Sequence, residues 1–127
     1  MRRGLATAAV AAFVGLGGPA LGQTAAEPSI AQFLIDADAL VARGPEAVTS
    51  PEADALRATM TKSAVRARGL VAAHDGQPAS ACPPPPGQAG LSLGDIMDVL
   101  RGLPADQQTQ PLGNGMAQVL RVKFPCK

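Results

Sequence analysis

The sequence predicts an all-α fold, a small bundle of about four helices with one disulfide, on three observations. Apolar residues recur at helical spacing in several stretches, each opened by a capping residue or Pro and closed by Gly or Pro. No segment alternates apolar and polar residues over the length of a strand. Aromatic residues are nearly missing, with 3 Phe and no Trp or Tyr in 127 residues. An interior of Ala, Leu, Val, Ile and Met suits closely packed helices better than a sheet, which favours β-branched and aromatic side chains.

Residues 1–22 read as a secretory signal peptide. Met1-Arg2-Arg3 is a positive start, Leu5 to Gly18 is an apolar run, and Ala20 and Gly22 are the small residues ahead of a cut before Gln23. A membrane anchor needs about 20 apolar residues; this run is shorter and contains Gly15, Gly17 and Gly18, with Pro19 next. The expected mature chain, 23–127, is a single helical domain able to bury one modest core. Without Arg2 and Arg3, nine basic residues face ten acidic ones there, a net charge of about −1. A near-neutral chain with one His and no aromatic platform is poorly suited to nucleic acid.

The first mature helix is expected over Ile30–Arg43. Ser29 caps it, Gln32 completes a capping-box spacing, and Ile30, Phe33, Leu34, Ala37, Leu40 and Val41 form its apolar stripe. Asp36 and Asp38 diverge around this helix, so they read as a solvated face and not as an acid–base pair. Gly44-Pro45 stops the helix, and Pro45 to Val48 adds one further turn.

Ser50 then caps a second and longest helix, with Pro51 at its first position, lasting to about Ala73. Its acids come first (Glu52, Asp54) and its bases last (Arg66, Arg68), which suits the helix dipole. Ala53, Leu56, Met60, Ala64, Ala67 and Val71 are its buried stripe. From Gln77 to Gly90 the chain is a loop containing the four prolines Pro83 to Pro86, read as a stiff extended strap. Ser92, with Asp95 three residues on, opens a helix to about Gly102 whose apolar edge is Leu93, Ile96, Leu100 and Leu103. Pro104 ends it, Ala105 to Gln110 bridge, and a last helix from about Pro111 to Lys123 buries Leu112, Met116, Val119, Leu120 and Phe124. Gly113 and Gly115 weaken its first turn.

No catalytic, cofactor-binding or metal-ligating constellation is legible. His74 with Cys82 as nucleophile is the one catalytic pairing to weigh. It lacks an orienting Asn or Asp signature, and Cys82 has a better partner in Cys126; a single His without a cysteine pair nearby does not make an ordinary zinc site. Cys82 and Cys126 are the only two cysteines. In an exported chain they read as one disulfide, with two free thiols or a bridge between chains as the alternatives.

Cys82-Pro83-Pro84, a short helix over Leu93–Leu103, the Leu103-Pro104 break and the closing Phe124-Pro125-Cys126 resemble the C-terminal segment of the Rap/Tai family of periplasmic immunity proteins, known from type VI secretion systems. The resemblance covers about a third of the chain. The better-known members carry further cysteines in the N-terminal half, where this chain has none. The resemblance implies a small, exported, all-helical, disulfide-bonded protein of the periplasm, without enzymatic activity or cofactor, that binds a peptidoglycan-cleaving amidase effector. On that reading the proline strap or the Ala105–Gln110 connection occludes the effector's active site. The alternative is a structural or stress-related periplasmic protein on the same scaffold with no amidase partner.

Overall fold

The structure, a computed structural model, describes residues 26–127. The expected signal peptide lies outside the described residues. Four α-helices follow in order: α1 (Ile30–Ala42), α2 (Pro51–Val71), α3 (Leu93–Arg101) and α4 (Leu112–Lys123). Short 3-10 turns at Pro45–Thr49 and Gln107–Thr109 join α1 to α2 and α3 to α4. There is no β-sheet among the described residues, and none of their helices is long and apolar enough to cross a membrane.

α4 is the central helix. Seven of its twelve residues are buried, among them Leu112, Met116, Val119 and Leu120 as the spacing predicts. It packs most extensively on α2, then on α3. Around it gather Ile30, Phe33, Leu34 and Ala37 of α1, Ala67 and Val71 of α2, and Ile96, Met97 and Leu100 of α3. The aliphatic core foreseen from the composition has Phe33 as the only fully buried aromatic ring among the described residues.

Three local expectations are corrected. Val41 is 61% exposed rather than part of the buried stripe, because the chain leaves α1 at Arg43 and the following turn buries Ala47 instead. The Ser29–Gln32 box is half formed. Ser29 Oγ accepts the Gln32 N–H, but the Gln32 amide turns forward to donate to Asp36. α2 stops at Val71, short of Ala73, because Ala72 takes an extended backbone. After Ala73, the four residues His74 to Gln77 make a tight reversal in which His74 and Gln77 exchange backbone hydrogen bonds. Asp75 and Gly76 both carry positive φ there, the Asp-Gly preference of a type I′ turn.

Ser92 and Asp95, the pair expected to open α3, form a complete capping box. It holds the Asp95 carboxyl below its ordinary range, first through the Ser92 hydroxyl, then through the Ser92 N–H, with Lys123 adding to both. A carboxylate depressed in the folded chain stabilises at pH above its unfolded value, and that contribution is lost as pH falls through the folded value. Thermal midpoints should therefore drop below about pH 4, and the drop should be shallower in Asp95→Asn, as read by melts across that range.

The start of α4 shows how the two ends of the chain meet. Pro111 provides no side-chain cap. Pro28 C=O accepts the Leu112 N–H at 2.9 Å, and Ile30 N–H donates to Gln110 C=O at 3.0 Å. The Glu27 carboxylate accepts the Gly113 N–H at 2.6 Å, the Ser63 hydroxyl at 2.9 Å and the Arg66 guanidinium at 2.6 Å. A negative charge at a helix N-terminus is favourable and satisfies a donor that the helix cannot. Ser63, 1% exposed, is buried on α2 because this acceptor is there. Glu27→Ala strands three donors and should cost about 2–3 kcal/mol in urea unfolding. Glu27→Gln keeps an acceptor oxygen and should cost roughly half as much.

Candidate functional site

The strap between α2 and α3 is fixed at its base and solvent-exposed at its tip. Cys82 and Cys126 form the intramolecular disulfide, with Cα atoms 5.0 Å apart across a separation of 44 residues. Non-covalent contacts hold the same base. Cys82 N–H donates to Phe124 C=O at 2.8 Å, Ser80 N–H donates to Val71 C=O at 2.9 Å, and Arg121 Nε donates to Ser80 Oγ at 3.1 Å. Ala81 is buried in the core between them.

Beyond Cys82 the chain runs extended through half-buried Pro83 and Pro84, then reverses. The Gln88 N–H donates to Pro85 C=O at 3.1 Å, with Gly87 at φ 84°. Pro at the second position and positive-φ Gly at the third make this a type II turn, in which any residue with a side chain would be strained at Gly87. Pro85, Pro86, Gly87 and Gln88 are all exposed. On the far side Leu91 packs on the core and the Ser92–Asp95 box locks the start of α3. The four prolines therefore divide into an extended pair against the body and a pair that builds a projecting turn.

The other sequence candidates are scattered. His74 is exposed, with Nδ1 2.8 Å from Ala72 C=O, and the disulfide takes up the Cys82 sulfur that a nucleophile would need. Asp36 pairs with Gln32, while Asp38 pairs with Arg101 and so ties α1 to the end of α3. No group of three or more His, Cys, Asp or Glu among the described residues is placed to hold a metal. The Ala105–Gln110 connection is braced by Gln108, whose amide donates to Leu103 C=O at 3.1 Å, and by Thr109, whose hydroxyl donates to Asp106 C=O.

No family model, curated protein or solved structure matches this chain.

A groove of about 350 Å³ separates α1 from α2, walled by Leu40 and Leu56 and rimmed by Asp36, Arg43, Glu52 and Thr59. The Arg43–Glu52 ion pair, 3.2 Å, closes one end. Glu52 sits below the ordinary carboxylate range, first because its carboxylate accepts its own backbone N–H in the opening turn of α2, then through Arg43. Both side chains are exposed, so solvent screens the pair and it contributes little to stability. Sequence reasoning missed Glu27 and Ser63. The readable signal was the lack of a capping side chain at Pro111, which required an acceptor from elsewhere. It also missed the turn inside the proline run, for which Pro86-Gly87 is a direct signature.

Proposed function

We propose that this protein is an exported binding protein of the periplasm, an immunity protein that blocks a peptidoglycan amidase by lodging its proline turn in the enzyme's cleft. The observation that carries this reading is the exposed Pro85–Gln88 turn held rigid from both sides, by the disulfide at Cys82 and by the capped start of α3. A turn ordered before binding loses little conformational freedom on docking, which is how a small scaffold obtains affinity from a limited contact. The likeness of the Cys82–Cys126 segment to the Rap/Tai immunity proteins supports the same reading, and a disulfide suits an oxidising compartment. The mechanism is steric, and no residue of this chain takes part in bond making.

The test is co-expression with a cell-wall amidase encoded beside this chain, both directed to the periplasm. Protection from lysis is expected. Replacing Pro85 and Pro86 with Ala should weaken inhibition by about thirtyfold, the effect of removing a central anchor of roughly 2 kcal/mol, while helical content and thermal midpoint stay unchanged. Undiminished lysis in the presence of the intact chain defeats the immunity reading and leaves the scaffold without an amidase partner.

A further inference from the structure

A second recess lies away from the proline turn, where the start of α1, the end of α3 and the α3–α4 connection converge on α4. Its volume is about 250 Å³. It is lined by Gln107, Gln110, Asn114 and Gln118 over a floor that includes Ile30 and Leu103. None of the residues lining it is ionisable. Four primary amides converge here on one recess with no charged group among its lining.

The hydrogen-bonding inventory is open. Asn114 donates to Gln110 Oε1 at 2.9 Å, which orients that pair and leaves the Asn114 carbonyl oxygen and the Gln110 NH₂ facing other partners. Gln107 and Gln118 make no side-chain hydrogen bond among the described residues, although Gln118 is half-buried. Each primary amide offers two donors and an acceptor oxygen. A charged ligand entering here would lose hydration without meeting a counter-charge. A neutral ligand dense in both donors and acceptors would not. Half-buried Leu103, which lines the recess with the amides, matches a group that carries a methyl next to its own amide. The recess is smaller than the sites that enclose drug-sized ligands, so it suits a single ring.

We propose that this recess binds an N-acetylated amino sugar, with the ring hydroxyls and acetamido group paired to Gln107, Asn114 and Gln118 and the acetyl methyl placed on Leu103. The proposal rests on this recess alone and stands apart from the amidase reading.

The experiment is an NMR titration of the ¹⁵N-labelled protein, following the side-chain NH₂ signals of its Gln and Asn residues. The probe is N-acetylglucosamine, with glucose and an acetylated dipeptide amide as comparators, each to about 50 mM, since one-ring ligands bind in the millimolar range. Expected are saturating shifts confined to Gln107, Gln110, Asn114 and Gln118, at about fivefold lower concentration for N-acetylglucosamine than for glucose, the effect of one net hydrogen bond or a buried methyl. Gln118→Ala and Gln107→Ala should each weaken binding about fivefold with an unchanged thermal midpoint. Three results would overturn the proposal: no saturating shift with N-acetylglucosamine, glucose bound equally well, or the dipeptide amide bound more tightly, which would make this a peptide site.

Discussion

Cys82→Ser is expected to lower the thermal midpoint by roughly 15–30 °C under oxidising conditions. The bond closes a loop with a sequence separation of 44. Chain entropy assigns such a loop about 4 kcal/mol, and in a domain of this size each kcal/mol moves the midpoint by about 4–8 °C. The position of the strap should be less sensitive than its stability. Ala81 remains buried, and the backbone bond from Cys82 to Phe124 needs no sulfur. Well below its lowered midpoint, the variant should keep near-native helix content by circular dichroism. A midpoint within about 5 °C of the parent would show that the unbridged chain is already constrained by other means.

Gly115→Val should be nearly as damaging. A methyl group built on Gly115 would stand 2.7 Å from Ile30 Cδ1 and 2.7 Å from Leu100 Cδ2. Both neighbours are among the most deeply buried side chains, so neither can swing away into solvent. Overpacking of this kind costs about 1–3 kcal/mol, and a β-branched residue adds more atoms at the same point; roughly 3 kcal/mol in urea unfolding is expected for Val. Gly115→Ala separates two effects. Helix propensity alone would stabilise by about 1 kcal/mol, whereas the clash predicts net destabilisation. A more stable Ala variant would mean that α1 and α3 can move off α4 at little cost.

The contrast between Gly115 and its neighbours shows where the sequence was legible. Periodicity identified most of the buried face of each helix, because a stripe of Leu, Val, Ile and Ala at helical spacing has one way to avoid water; it put Val41 inside and left out Met97, and Phe124 is only half-buried. Ser50 and Ser92 announced their helices, since a capping hydroxyl acts within three residues. Gly113 and Gly115 read as flaws for the opposite reason. Their worth lies in what approaches them, Glu27 and Arg66 at one and Ile30 and Leu100 at the other, and no local pattern records a neighbour so distant in the chain. Glu27 was hidden likewise, as a lone acid before a proline. The projecting turn was half legible: the prolines marked a stiff segment, and the reversal at Pro86-Gly87 was written in the turn chemistry but masked by the run of prolines before it. The uncharged recess was not legible at all, because its four amides come from two elements and its floor from two more.

The Glu27 contact also sets a schedule for the chain. Its carboxylate reaches a backbone N–H 86 positions further on, so a polypeptide delivered N-terminus first presents that acid long before its counterpart exists. Until α4 arrives, Ser63 and Arg66 have an acceptor but the central helix is missing, and the faces of α1, α2 and α3 that bury against α4 have nothing to cover them. Closure is therefore a late event that waits on the whole length of the chain.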